Sequence, residues 1–389
     1  MKKTLAALAV LGAFAAGSAY AADVTVYGVV DLGLKYTHSD NDVAGQDATD
    51  SLTMEAGNQS GSRFGLKGTE DLGNGYSVGF VLENGFNADD GTLGNNSRLF
   101  GREASLQVTG PWGQLGFGRM GNLTSGNGTY GIAGNLTPFG TSWSGYAVES
   151  STYFVGYSRF DNMITYKTPT FAGFTGYAQY SFDANSKDVW THDEGKSSAN
   201  RYAAIGATYK NGGLDLVLTA DWYNWSNYYN TTTEEADDGY AVTLGGSYDF
   251  QVVKAYLAAQ YFDNMFQKTN PEKDGDADTY AKIGLGIGGQ FKGYAVTAGV
   301  GVPFLGGTGM FAVGYADTEA ADWDAADKPE STRWGLSVGY DYPFSKRTNV
   351  YAVAGYYQDS IDNDQRADYK GLDHDPSTAA VVIGMRHKF

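Results

Sequence analysis

The sequence predicts an all-β fold: a 16-stranded antiparallel transmembrane β-barrel with short periplasmic turns, long extracellular loops and a third loop folded inward. Three observations predict it. Apolar and polar residues alternate with a period of two along most of the chain. The connections between alternating runs are seven short ones and eight long ones in strict succession. The chain also stops on "VVIGMRHKF", with Phe389 as its last residue. Alternation marks a strand that is wet on one face only. Seven tight turns and eight long loops join sixteen strands whose ends share a side, the parity of a bacterial outer-membrane barrel with periplasmic termini. In a closed sheet the last strand has the first as its neighbour, which gives a terminal aromatic somewhere to pack.

The first element is an export signal. Lys2 and Lys3 precede the apolar run "TLAALAVLGAFAAG", and Ala19-Tyr20-Ala21 supplies the small residues of a cleavage site. The run is too short for a membrane span and has the wrong flank, so residues 1–21 read as a signal peptide and residues 22–389 as one barrel domain. An exported chain with no cysteine has not used disulfides to staple a small core, so it needs a large self-sufficient fold. The formal charge of -17 becomes two units more negative without the signal lysines, which excludes a nucleic-acid partner. A mean hydropathy of -0.35 looks soluble only because averaging hides a surface that changes character at every residue.

The strands follow in order. In "VTVYGVVDLGLKY", Val24, Val26, Gly28, Val30, Leu32, Leu34 and Tyr36 share one face, and Thr25, Tyr27, Val29, Asp31, Gly33 and Lys35 the other. "GYAVTAGVGVPF" repeats the design with Tyr294, Val296, Ala298, Val300, Val302 and Phe304. In the last strand Val381, Ile383, Met385, His387 and Phe389 oppose Val382, Gly384, Arg386 and Lys388. The short connections fall at 72–75, 111–113, 171–173, 211–213, 250–251, 305–307 and 343–348, most with the Asn, Gly and Pro chemistry of hairpin turns. The long ones are 37–51, 87–97, 120–150, 184–199, 226–239, 265–279, 317–331 and 359–377.

"YAKIGLGIGGQF", residues 280–291, alternates as well as any strand, yet a seventeenth would put the termini on opposite sides. It is assigned to an extended sixth loop or a strand running on above the bilayer. Its G-x-G-x-x-G, Gly284, Gly286 and Gly289, has no helix to follow and signals no dinucleotide. Acidic residues crowd the long connections, among them Asp40, Asp42, Asp47 and Asp50 in the first and Glu234, Glu235, Asp237 and Asp238 in the fifth. They read as solvated loops, or as carboxylates bridged through divalent cations to lipopolysaccharide. "DGDAD" at 274–278 fails as a calcium loop, because Thr279 and Leu285 stand where Gly and Glu are required.

Five separated segments carry a family resemblance: "SGSRFGLKGTEDLGNGYSVGFVLENGF", "LFGREASLQVTGPWGQLGFGRMGNL", "YKTPTFAGFTGYAQYSF", "YDYPFSKRTNVYAVAGYY" and the closing "GMRHKF". Together they resemble the general diffusion porins of Gram-negative bacteria, in particular the trimeric Neisseria and Burkholderia type. The resemblance implies a homotrimer in the outer membrane and passive diffusion of ions and small hydrophilic solutes. It also implies contact with outer-membrane lipid and lipopolysaccharide, and a terminal Phe389 read by the barrel assembly machinery. No cofactor or metal is implied.

By the same resemblance Arg63, Arg102 and Arg159 form the basic wall of a pore constriction. Guanidinium groups stay charged, so a ladder of them beside a narrow aqueous lumen draws anions. Glu83 matches a lumen-facing carboxylate. Asp31 and Lys35 fall on the inner face of the first strand by parity. The third loop carries the aromatics Tyr130, Phe139, Trp143 and Tyr146 and a single acid, Glu149, near its end. An eyelet with so few carboxylates opposite its arginines is expected to prefer anions mildly. In "REASLQV", Glu103, Ser105 and Gln107 are read as lying on the lipid side, where a neighbouring subunit would have to cover them.

Other functions leave fewer traces. The four histidines, His38, His192, His374 and His387, lie in loops or at the chain end, and no nucleophile or metalloprotease motif is present, so an enzyme is not expected. A substrate-specific channel for a sugar or an organic anion stays open because of the loop aromatics. An exported β-adhesin would leave the terminal Phe unexplained.

Overall fold

A computed structural model of the protein describes residues 24–42, 45–140, 143, 147–148, 150–156, 159–184, 186, 194–195, 199–224, 237–266, 290–321, 328–362 and 375–389. The signal segment therefore lies outside the described residues, as do Tyr146, Glu149 and residues 280–289. Gln290 and Phe291, the end of the ambiguous alternating segment, open a strand of the wall.

Among the described residues, seventeen strand segments make one antiparallel sheet closed on itself. They are β1 (Thr25–Asp40), β2 (Thr49–Ala56), β3 (Arg63–Gly73), β4 (Tyr76–Gly85), β5 (Glu103–Gly110), β6 (Gly113–Gly121), β7 (Arg159–Lys167), β8 (Phe174–Ser181) and β9 (Arg201–Asn211). The circuit continues through β10 (Leu214–Asn224), β11 (Gly239–Asp249), β12 (Lys254–Phe266), β13 (Gln290–Phe304), β14 (Gly307–Ala320), β15 (Glu330–Pro343), β16 (Thr348–Asp362) and β17 (Ser377–Lys388). β2 and β3 share one position in the wall. β2 pairs with β1 from Leu32 upward, and β3 pairs with β1 from Thr25 to Val29. The barrel thus has sixteen wall positions, with the second broken at residues 57–62. The sequence reading treats that position as one uninterrupted strand; the break begins at Gly57, whose φ of +74° turns the chain out of the ladder.

The short turns sit where the turn chemistry puts them. Asn74 and Gly75 both have positive φ, the backbone of a two-residue hairpin whose twist matches its strands. Leu305 and Gly306 do the same, with Leu305 at φ 46° in a region usually left to Gly or Asn. Several strands run further than the alternation suggests: β1 reaches Asp40 and β14 reaches Ala320, which shortens the first and seventh long connections.

Facing alternates along the wall strands except at the irregularities in β3, β6 with β7, and β12. Leu34, Leu218, Leu244, Leu257, Val313, Leu336 and Ile383 point outward in a mid-height apolar band. Exposed Tyr76, Trp112, Phe174, Tyr248, Phe304, Tyr342 and Phe344 form a girdle near the short turns. Tyr36, Tyr240, Tyr261, Tyr294, Tyr315 and Trp334 form another near the long connections. Two aromatic girdles around an apolar band are what a bilayer asks of a barrel, with amphipathic rings at each interface. Tyr36, Tyr240 and Tyr294 direct their hydroxyls to Asp50, Asp263 and Asp317 at 2.6, 3.0 and 3.3 Å, on the side of the long connections.

Closure is made by β1 and β17, paired from Val29↔Lys388 to Asp40↔Ser377. Phe389 completes the seam: its N–H donates to the Gly28 carbonyl and the Gly28 N–H to a terminal carboxylate oxygen of Phe389, each at 3.1 Å. The ring lies over Gly28 on the outer face, where a Cβ would come within 2.1 Å of its Cζ. Gly28→Leu is therefore expected to expel the ring and lower the temperature at which the folded form converts to the unfolded one on an unboiled detergent gel. Phe389→Ala should lower it less, because it removes the ring without inserting a clash. Equal conversion temperatures for Gly28→Leu and wild type would show that the seam does not depend on this contact.

Candidate functional site

The inner face of the wall between β1 and β7 brings together the charged residues singled out in the sequence. Glu83, on β4, accepts a hydrogen bond from Arg102 Nε at 2.7 Å and from the Tyr27 hydroxyl at 2.9 Å. Arg63 Nε lies 3.6 Å from the same carboxylate. Arg63 also donates from Nη1 to Ser60 Oγ and to the Gly61 carbonyl, so the break in the second wall position fixes its fork. Arg159 donates from Nε to the Arg102 carbonyl at 2.9 Å and from Nη2 to Asn127 of the third loop at 3.1 Å. Arg63 and Arg102 thus share one carboxylate, while Arg159 couples this cluster to the third loop.

Asp31 and Lys35 do fall on the inner face, but neither presents a free charge to the lumen. Asp31 is fully buried and accepts from the Gln59 and Ser60 N–H groups at 2.9 and 2.7 Å and from the Tyr351 hydroxyl at 2.5 Å. Its carboxylate holds the break at 57–62 in place. Lys35 pairs with Glu55 at 2.8 Å.

A second cluster escapes the sequence reading. Asp161 takes Arg119 Nη1 at 2.8 Å, Arg98 Nη2 at 2.8 Å and both the N–H and hydroxyl of Ser186. It ties the second long connection to β6, β7 and the fourth connection. Nothing local marks it, because its members come from four separate stretches of chain.

"REASLQV" requires a correction. Leu106 is exposed on the outer face, whereas Glu103 and Ser105 are buried on the inner one. Glu103 accepts from the Thr129 N–H at 2.9 Å, the Thr129 hydroxyl at 2.6 Å and Ser105 Oγ at 2.7 Å. The lipid-facing assignment fails because the parity of β5 is set by outward Leu106 and Val108. The acid here anchors the third loop instead of waiting for a neighbouring subunit.

That loop, residues 122–158 between β6 and β7, is held by two devices. Wall side chains bind its backbone: Gln179 accepts from the Leu123 N–H at 2.9 Å, Ser337 accepts from the Val148 N–H at 2.7 Å, and the Gln260 amide bonds both the N–H and C=O of Val155. Arg333 grips Asp359 through two hydrogen bonds of 2.5 and 2.7 Å, lies 4.4 Å over the Tyr357 ring and donates to the Thr152 carbonyl. The hydroxyls of Thr124 and Tyr202 both donate to the buried Asp221.

The other device is steric. Inward glycines of the wall leave sockets for the loop's bulky groups: Gly116 for Tyr130, Gly339 for Phe139, Gly299 for Pro138, and Gly314 with Gly335 for Tyr153. At each, a Cβ would come within 3 Å of the seated side chain. Tyr130, Phe139 and Trp143 are consequently buried against the wall, and Trp143 meets Phe139 and Tyr351 edge-on at 5.7 and 5.3 Å. Burial, and after it the charge of Glu103, hold the Tyr130 phenol above its ordinary range, so it stays protonated.

A closed barrel with an inward loop and an arginine-rich inner wall is a hollow through which ions and solutes pass, and comparison with known proteins gives the arrangement its family. A family model described as "Gram-negative porin" matches residues 5–362. The chain belongs to the Gram-negative porins. It is 34% identical over 419 residues to an outer membrane porin protein of Bordetella pertussis, with all of both chains covered. Among solved structures it is similar to the anion-selective porin from Comamonas acidovorans, at 26% identity and a TM-score of 0.65, over 95% of this chain and 100% of that one. The trimer form of OmpT, an outer membrane protein of Vibrio cholerae, shares the fold at 15% identity and a TM-score of 0.58, with the same coverage. This porin is an outer-membrane channel of a Gram-negative bacterium for passive diffusion, and not an enzyme.

Breaking one anchor of the third loop tests how the porin keeps it in place. Asp359→Ala leaves the Arg333 guanidinium buried without its carboxylate, a change that costs about 3–5 kcal/mol at buried pairs. The expected result is noisier open-channel current and a lower heat-conversion temperature. Current noise indistinguishable from wild type would show that the loop does not depend on this pair.

Proposed function

We propose that this porin is a general diffusion channel with a mild preference for anions, set at an eyelet whose basic wall is Arg63, Arg102 and Arg159. One observation carries the reading. Arg63 and Arg102 share the single carboxylate of Glu83, Arg159 reaches across to the third loop, and that loop contributes no acid other than Glu149. Guanidinium groups in a narrow lumen of low effective dielectric raise the local concentration of anions, and the neighbouring carboxylates compensate only part of their charge. The acidic extracellular connections act at the mouth, where salt screens them over about 10 Å at 0.1 M.

General diffusion fits better than a sugar-specific channel. Tyr130, Phe139 and Trp143 are spent on holding the third loop to the wall, so they offer no exposed aromatic track. The resemblance to trimeric porins supports a homotrimer in which the apolar outer wall of one barrel meets the next. The end bearing the termini and short turns then faces the periplasm. Phe389, seated in the closing seam, is suited to be read by the assembly machinery as the barrel closes. The acidic long connections would meet lipopolysaccharide through divalent cations.

In a planar bilayer under a tenfold potassium chloride gradient, the reversal potential is expected to favour chloride, and channels to close in three steps. Arg102→Glu should move the potential toward potassium by removing one positive charge and adding one negative beside Glu83. Clear potassium selectivity of the wild type would overturn the anion-preferring eyelet, and single closing steps would overturn the trimer.

A further inference from the structure

At the seam where the barrel closes, two further cations of the inner wall lie beside Arg63, the arginine whose Nε is 3.6 Å from Glu83. Lys388 on β17 and Arg63 on β3 flank Val29 of β1 on either side, and Arg386 lies opposite Asp31 one inward position further along β17. Arg386 and Lys388 face the lumen, since Gly384, of the same parity, lies against the inward Tyr351 ring. From strand geometry the Cα atoms of Arg386 and Lys388 are about 7 Å apart, and those of Lys388 and Arg63 about 10 Å, within reach of three long side chains converging on one small ligand.

The nearby acids are already occupied: Glu83 accepts from Arg102 and Tyr27 and lies 3.6 Å from Arg63, and the terminal carboxylate of Phe389 accepts from the Gly28 N–H. Asp31 is consumed by Gln59, Ser60 and Tyr351, and Asp341 accepts from Gln59 Nε2 at 2.8 Å and Asn349 Nδ2 at 2.6 Å. Arg386 is oriented by a single neutral contact, Nε to Asn349 Oδ1 at 3.0 Å, and among the described residues neither Arg386 nor Lys388 has a carboxylate within ion-pair distance. A held fork with unused donors, beside two further cations, suits the geometry of a tetrahedral oxyanion.

We propose that Arg386, Lys388 and Arg63 form a binding site for divalent oxyanions such as phosphate, lying between the eyelet and the opening at the short-turn end. The proposal rests on the anion-preferring reading above and adds a ligand class to it. A doubly charged oxyanion engages two or three of these cations at once, whereas chloride engages them singly. The site would therefore retain phosphate long enough to reduce chloride current.

The test is the current through in-vitro refolded protein in dilute potassium chloride, titrated with inorganic phosphate at alkaline pH and constant chloride. Wild type is expected to lose current with increasing phosphate. Arg386→Gln should need several-fold more phosphate for the same loss, and Arg386→Gln with Lys388→Gln roughly tenfold more. Lys210→Gln, which removes a rim charge held by Asp215 at 2.9 Å, should leave the titration unchanged. Equal weakening in Lys210→Gln would reduce the effect to overall charge and overturn the site. So would a wild type that prefers chloride over potassium yet ignores phosphate, an outcome that leaves the eyelet reading standing. Potassium preference in the wild type would instead remove both.

Discussion

Every other feature of this molecule depends on a ladder of backbone hydrogen bonds that has no end. In hydrocarbon an unpaired N–H or C=O costs several kcal/mol, so a sheet can cross a bilayer only if its first strand meets its last. Here the meeting runs from Asp40↔Ser377 down to the mutual bonds of Gly28 and Phe389. Once the wall is closed, outward positions must satisfy lipid and inward ones water. The single-residue alternation of the sequence is the direct record of that demand.

A hollow wall leaves the interior to be furnished, and the third loop furnishes it. The wall binds the loop's backbone with Gln179, Gln260, Ser337 and Glu103, and seats its rings in glycine sockets. The abundance of glycine follows partly from this: an inward Cβ at Gly116 or Gly314 would occupy the space of a tyrosine that keeps the loop against the wall. Beside the loop so fixed, the inner surface carries Glu83 between two arginines.

Much of the fold was legible from sequence because alternation and turn chemistry are local. Asn74-Gly75 announces its own hairpin, and the seven turns and eight loops fix the strand number. Facing was read correctly on β1 and β17, which places Arg386 and Lys388 inside. It was misread on β5, where a polar Glu103, Ser105, Gln107 series was assigned to lipid although Leu106 lies on the face that lipid requires. The second wall position hid its break because "GNQSGS" resembles an ordinary flexible stretch until Asp31, distant in sequence, is seen to organise it. The pairs Arg333–Asp359 and Asp161 with Arg98 and Arg119 were invisible for the same reason: they are contacts between strands, and one sequence records no cross-strand partner. Of the site residues, Arg63, Arg102 and Glu83 came together because the family likeness pointed to them, not because any local pattern did.

The interruption at residues 57–62 has a mechanical consequence. Above it β2 holds β1 through its own register, and below it β3 holds β1 independently, with Asp31 clamping the junction. A gain or loss of residues in the first surface loop can slip the upper segment without forcing the lower one to follow. The stretch that carries Arg63 is thereby insulated from length changes in the long connection between β1 and β2, so that rim of the barrel can diverge while the wall around Arg63 keeps its dimensions.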